Sequence, residues 1–516
     1  MPRWFNTAGP CKSDIHYMLS PLTRLPELER LIAQESYYVL HAPRQTGKTT
    51  LMLSLAQELT ASDRYVAVML SVEVGAVFSS QPGKAEAAIL NAWRGAAKFR
   101  LPPELNPPMW PTVEAGRQIG AALQAWTESL SLPLVVFIDE IDALQDDALL
   151  SVLRQLRDGY PNRPGGFPQS VGLVGLRDVR DYKVASGGSE RLNTSSPFNI
   201  KVESLTLRNF SAEEVAELYQ QHTDDTGQVF TPDAIARAFE LTQGQPWLVN
   251  ALARQAVEKL VCDLTQPITV STIDAAKEIL IQRRDTHLDS LAERLRESRI
   301  RAIIEPMLAG ESMGSIPDED RQFVLDLGLV RRSPEGGFVI ANPIYKEVIP
   351  RVLTGATQDT LPIIKATWLD EQGQLKPEQL LSSFLDFWRQ HGQPLLKSAH
   401  YHEIAPHIVL MAFLHRVVNG GGTLDREYAI GMGRMDMCLR YGEVTLGMEL
   451  KVWRQGEKDP LAQGLVQLDQ YLAGLNVEFG WLVIFDQRTG LPPIAERTSV
   501  EVKKTKSDRT VQVIRA

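Results

Sequence analysis

The run YYVLHAPRQTGKTTLMLSL, Tyr37 to Leu55, decides the fold of this 516-residue chain. An apolar, aromatic-rich stretch gives way to a polar turn, and the turn to leucines and methionine at helical spacing, which predicts strand, turn, helix. The turn fits the phosphate-binding P-loop pattern except that Ala42 stands where the first glycine would. Pro43, Arg44, Gln45 and Thr46 follow, then Gly47, Lys48, Thr49 and Thr50. Backbone N–H groups of such a loop, with the positive end of the following helix, surround the β- and γ-phosphates of a nucleotide. Gly47 permits the tight turn, Lys48 brings a mobile positive charge, and Thr49 offers a hydroxyl to Mg²⁺.

The matching element lies in LPLVVFIDEID, a buried-strand run ending in Asp139-Glu140. Asp139 is placed to hold Mg²⁺, and Glu140 to orient or deprotonate the attacking water, the two tasks hydrolysis needs beyond neutralising the phosphates. From about Pro21 to Val202, strand-like runs alternate with helical patterns, which predicts a parallel sheet with helices on its faces. Between Asn209 and Leu280 helices take over, each opened by a Ser or Thr cap or a proline in its first turn.

Taken together, these elements resemble an AAA-like P-loop ATPase of the ORC/STAND type found in prokaryotes. Two further features carry the resemblance. The strand VGLVGL runs into Arg177 at the position of a γ-phosphate sensor, and the Gly244-x-Pro246 turn is similar to the lid motif of STAND ATPases. The order after Asp285, with two short strands flanking a PEGG turn behind a helix ending near Gly328, resembles a winged helix. Residues 281–351 hold 11 basic and 12 acidic side chains, so this segment is expected as a nucleotide-sensing arm rather than a DNA reader. Arg154, Arg157 and Arg163 are candidates for an arginine acting in trans on a neighbouring subunit.

Beyond the polar, turn-rich stretch Thr354 to Pro362, a second α/β module begins. In GRMDMCLRYGEVTLGMELKVWR, strand alternation sends Glu449 and Lys451 to one face, and Asp436 on the preceding strand can meet Glu449 across a hairpin. Two carboxylates so placed make an oxygen-rich site for Mg²⁺, beside an ammonium able to position water. This pattern resembles the PD-(D/E)XK nuclease superfamily. The resemblance spans about residues 396–490 and implies an accessory metal-binding role for Glu403. It also likens Gln467 and Tyr471, one helical turn apart, to the QxxxY element that lines many such sites.

The implied fold class is α/β: a P-loop ATPase with parallel sheet, helical lid and winged-helix domain, then a restriction-endonuclease-like α/β domain. The expected divisions are an N-terminal arm (1–20), the ATPase core (21–208), the lid (209–284), the winged-helix-like domain (285–353), a linker with helices (354–395) and the nuclease-like domain (396–516). The resemblances imply ATP and Mg²⁺ as cofactors, nucleic acid, DNA in the first instance, at the C-terminal domain, homo-oligomerisation on ATP binding, and a role in genome defence. A second reading stays open, in which the C-terminal domains only grip nucleic acid or a partner protein.

Composition limits the choices. With 54 Lys and Arg against 63 Asp and Glu, the net charge is −9, which excludes a protein that coats nucleic acid over its surface. The imbalance is uneven: residues 396–516 carry +1 and the rest −10. Three scattered cysteines argue against a disulfide framework or a zinc site. The longest apolar runs reach about seven residues, far short of the roughly 20 a membrane span requires, so a cytoplasmic protein is expected.

Overall fold

The computed structural model describes residues 3–176, 200–283, 293–295, 297–309, 316–333, 336–349, 367–370, 372–398, 405–418, 422–430 and 433–516. Arg177, Glu403 and the stretch Thr354 to Pro362 lie outside the described residues. The chain divides into two compact units, Met1–His287 with Pro317–Pro343, and Leu288–Ile316 with Ile344–Ala516.

In the first unit, strands β1 (Tyr37–His41), β2 (Val66–Ser71), β3 (Leu134–Asp139), β4 (Ser170–Gly175) and β5 (Lys201–Thr206) form one sheet of order β2-β3-β4-β1-β5. Every pairing in it is parallel. Alternation along β1 explains why both faces are covered. Tyr37 and Val39 enter the core shared with α3 (Pro82–Arg100), α4 (Gln118–Ser129) and α5 (Asp146–Gly159). Tyr38 and Leu40 enter the opposite core, with α1 (Glu27–Ala33) and α2 (Lys48–Ala61). Such continuous apolar strands are what a sheet buried on both sides demands.

The helical segment follows as α6 (Ala212–Thr226), α7 (Pro232–Thr242), α8 (Pro246–Gln255) and α9 (Val270–Arg283). Its boundaries are set locally. Ser211 and Glu214 form a reciprocal capping box on α6, Thr231 caps α7, and Pro246 occupies the first turn of α8. The arm ahead of the sheet is pinned to these helices. Phe5 is fully buried among Tyr17, Tyr219, His222 and Phe230, and Arg3 pairs with Asp225 at 3.0 Å.

Residues 285–353 do not fall within a single unit. Helix α10 (Ser298–Ala309) lies in the second unit. Helix α11 (Asp318–Asp326) and the antiparallel pair β6 (Val330–Arg332) and β7 (Phe338–Ile340) lie in the first.

The second unit contains α12 (Pro377–Ser398), α13 (Ala405–Val418), and strands β8 (Gly422–Ile430), β9 (Gly433–Tyr441) and β10 (Val444–Trp453). It continues with α14 (Leu461–Leu475), β11 (Phe479–Asp486), β12 (Ser499–Lys504) and β13 (Thr510–Arg515). Its six-stranded mixed sheet runs β12-β13-β11-β10-β9-β8. One face packs Trp481, Val483 and Phe485 against Phe384 and Trp388 of α12 and Phe413 of α13. The other packs Leu482, Ile484, Val511 and Val513 against Leu468 and Leu472 of α14.

Candidate functional site

Strand order places the first site. The loop after β1 and the end of β3 flank β4, so both open on the carboxyl edge of the sheet, where α/β folds bind ligands. Ala42 N–H donates to Gly175 O at 3.4 Å, and Leu176 N–H to Asp142 Oδ1 at 3.2 Å, tying the loop and the end of β3 to β4.

Within the loop, Gln45 and Gly47 adopt φ of 59° and 94°, left-handed conformations that curl the backbone back on itself ahead of α2. Buried Thr46 closes the loop by donating to Pro43 O at 2.9 Å. Lys48 donates to Ala42 O (2.7 Å) and Pro43 O (2.9 Å), so its ammonium lies across the loop. Burial pushes its pKa down, opposed by Asp142, Asp139 and Glu140, a setting in which an added phosphate replaces weak carbonyl partners.

Thr49 Oγ1 donates to Asp139 Oδ2 at 2.8 Å, joining the two predicted Mg²⁺ ligands. A hydroxyl and a carboxylate in contact form a hard-oxygen pair, the chemistry Mg²⁺ prefers. Burial holds the Asp139 carboxyl above its ordinary pKa. Glu140 sits in a left-handed backbone conformation (φ 57°), which turns it out of the strand to the cavity wall. Enclosure first, then Asp142 and Asp139, raise its pKa as well, as suits a base.

Lys48, Thr49 and Glu140 line a cavity of about 510 Å³ that also takes in Arg44, Thr50 and Pro246, so the predicted loop and lid residues converge, while Asp139 is joined to it through its bond with Thr49. Gly244 is required where it stands. Its φ is +69°, and a Cβ there would lie 1.9 Å from Phe210 O. That close approach, with Phe210 N–H donating to Gly244 O at 2.9 Å, seats α8 at the cavity.

Several wall residues escaped the sequence reading. Arg24, 7% exposed, donates to Thr46 O at 3.0 Å and to Arg208 O, and lies over the Phe210 ring, bracing loop against lid. Burial lowers its pKa to about 10. The arm supplies Asn6, Thr7 and Cys11, with Thr7 O accepting from Trp247 Nε1 at 2.8 Å and Cys11 N–H donating to Thr50 Oγ1 at 3.1 Å. The apolar residues Trp4, Phe5, Ile15, Tyr17, Met18 and Leu19 clustered at the two ends of the N-terminal stretch are the signal the sequence offers. Of the candidate trans arginines, Arg163 is committed inside the chain, stacked at 3.4 Å on Tyr160 and bonded to Tyr160 O and Glu35 O, whereas Arg154 and Arg157 are exposed.

In the second unit, Glu449 is 2% exposed in mid-β10, and Lys451 Nζ donates to its Oε1 at 2.7 Å. The register of β9 with β10 ends at Met437 opposite Met448. Asp436 and Glu449 are the next residue along on each strand. Helix α14 crosses this face, bringing Gln467, whose buried Oε1 lacks a hydrogen-bond partner, and buried Tyr471. An acceptor oxygen left unsatisfied on a helix that packs against the strand of a buried carboxylate is chemistry a cation can use. Among the described residues, no group of three or more His, Cys, Asp or Glu side chains gathers as a metal site.

Residues 38–167 match the family model for the ATPase family associated with various cellular activities, AAA. That stretch is a P-loop ATPase domain of the AAA family, with the nucleotide binding and hydrolysis the family implies. No curated protein matches the chain. Among solved structures, a Walker-type ATPase of Pyrococcus abyssi is similar at 12% identity and a TM-score of 0.47, covering 67% of this chain and 99% of its own. The Aeropyrum pernix ORC2 protein, in ADPNP and ADP complexes, matches at 15% identity and 0.38, over 66% and 93%. The Thermotoga maritima RuvB Holliday junction branch migration motor matches at 16% and 0.34, over 63% and 92%. No helix among the described residues is long and apolar enough to cross a membrane.

Proposed function

We propose that this chain is an ATP-regulated nuclease, in which an AAA-type ATPase unit controls a metal-dependent phosphodiesterase site in the second unit. The observation that carries the reading is the pairing of buried Glu449 with part-buried Lys451, held at 2.7 Å on the strand next to that of Asp436. A carboxylate buried in mid-strand is costly unless paired, and its partly open ammonium partner leaves the pair within reach of a ligand. The order of elements also supports it: helix α13, the β9–β10 hairpin, α14 with Gln467 and Tyr471, then β11 follow as the nuclease resemblance implies.

In the ATPase unit, Thr49 and Asp139 would hold Mg²⁺, which neutralises the phosphates. Lys48 binds the β- and γ-phosphates, Glu140 orients the attacking water and accepts its proton, and Arg24 keeps the loop in register with the lid. In the nuclease unit, Asp436 and Glu449 would hold Mg²⁺, with Glu403 as accessory ligand, and Lys451 positions the water. ATP binding assembles the chain into oligomers, with DNA as the first substrate to try.

Cleavage of labelled single- and double-stranded DNA and RNA in Mg²⁺, with and without ATP, tests the proposal. Wild type should cut and Lys451→Ala should fall by about 100-fold or more, as removal of a positioned charge does. Equal products from the two proteins on every substrate overturn the nuclease reading. Cutting that persists unchanged in Lys48→Ala overturns the regulation.

A further inference from the structure

Strand β12 ends the sheet of the second unit, and among the described residues no strand lies beyond it. Its open side can be worked out from its neighbour. Thr510 and Ala516 of the β13 segment send their N–H groups to Glu478 O and Ile484 O, each 2.9 Å away on the β11 side. Alternation then turns Val511, Val513 and Arg515 toward β12, where they face Lys503, Glu501 and Ser499. The backbone N–H and C=O groups of Val500, Val502 and Lys504 therefore point outward. Two of these residues also expose apolar side chains, Val500 at 41% and Val502 at 60%.

A bare edge with exposed valines invites another strand, and lysines usually repel it. Here the charges instead select one partner. We propose that β12 pairs antiparallel with β12 of a second copy of this chain about a two-fold axis at Val502, joining two six-stranded sheets into one. Only outward-facing residues can exchange hydrogen bonds across the axis, which restricts the register to steps of two residues. With the axis at Val502, Glu501 stands opposite the partner subunit's Lys503, and the symmetry repeats the pair. A step one way sets Glu501 against the partner subunit's Glu501. A step the other way sets Lys503 against the partner subunit's Lys503. Opposite charges across a strand pair stabilise and like charges destabilise, so the two neighbouring registers are disfavoured, and larger shifts leave less of the six-residue strand paired. The contact is isologous and closes after two copies, so it yields dimers and not fibres. It needs no nucleotide and stands whether or not the second unit is a nuclease.

Sedimentation velocity of the full chain without nucleotide gives the test. Wild type should sediment as a dimer at tens of micromolar. Glu501→Lys and Lys503→Glu, each placing like charges opposite one another, should weaken the dimer at least tenfold, and the combined variant E501K/K503E should restore it. Because Glu501 and Lys503 also pair within one strand at 2.9 Å, which the swap re-forms, melting temperatures accompany each run: single variants that melt like wild type yet sediment as monomers have lost pairing and not folding. For the register, Val502→Cys should cross-link under mild oxidation, because residues directly opposite in a hydrogen-bonded pair lie about 5.5 Å apart at Cα, within disulfide reach. Val500→Cys, out of reach of itself, should not exceed the background from the native cysteines. A monomeric wild type, single variants that stay dimeric, a dimer that forms only with ATP, or equal cross-linking at both positions would each overturn the proposal.

Discussion

At the residue scale the proposed hydrolysis sets two carboxylates to different tasks. Asp139 is buried and bonded to Thr49, while Glu140 is turned outward by its left-handed backbone. Glu140→Gln keeps the shape but cannot accept a proton, so kcat should fall by about 10²–10⁴-fold with ATP binding retained, as measured by phosphate release against nucleotide titration. Because its pKa is raised, the acid limb of the rate profile should lie at higher pH than an ordinary glutamate gives. Asp139→Asn should act oppositely on stability. A carboxyl whose folded pKa is raised stabilises the fold only while protonated, and that contribution is lost as pH rises through the folded pKa. At pH 7 the native charge is a net cost, so the Asn variant should melt higher without nucleotide and lose hydrolysis. A lower melting temperature at pH 7 would contradict this account.

The same scale shows what the sequence made legible. Lys48, Thr49 and Asp139 could be read because spacing and flanking periodicity fix their places before any tertiary contact forms. Arg24 could not, since its work depends on reaching Thr46 and Arg208, remote in sequence and joined only by the sheet order. The shared face of Glu449 and Lys451 is legible from strand alternation, which requires only local geometry.

At the scale of elements, the N-terminal arm and the lid hold each other. His222 lies buried between Tyr17 and Gln228, and burial lowers its pKa. The unfolded chain therefore takes up the proton first, and stability of the first unit should fall as pH drops through about 6.5, the unfolded histidine value. His222→Gln should flatten that slope in melting scans between pH 7.5 and 5.5. The lid turn offers a paired comparison. Gly244→Ala must push a Cβ into Phe210 O, whereas Gly227→Ala, also left-handed at φ +78°, meets open space. The first should cost well over the roughly 1 kcal/mol expected for the second, read as the difference between their melting temperatures. Strands β12 and β13 show the reverse of a local failure. SVEVKK and TVQVIR alternate with period two and were open to sequence reading, yet no motif drew attention to them.

Across the whole molecule, the −9 net charge lies almost wholly ahead of residue 396, and the near-neutral C-terminal segment carries the carboxylates proposed to hold metal. Each unit also has its own core, the first built around residues such as Trp93 and the second around Phe384 and Trp388. Two cores without a shared cluster should melt as two transitions, and only one should respond to nucleotide. ATP with Mg²⁺ at 100 times its dissociation constant contributes about 2.7 kcal/mol to the state that binds it, which should move the transition of the first unit upward by several degrees. Lys48→Ala should abolish that shift and leave the other transition in place. Phe384→Ala, which empties a fully buried site and costs about 3–5 kcal/mol, should lower only the nucleotide-insensitive transition. If instead both transitions move together with ATP, or Phe384→Ala lowers the ATP-responsive one, nucleotide occupancy is coupled energetically to the second core, and the regulation acts through its stability rather than through placement of its site.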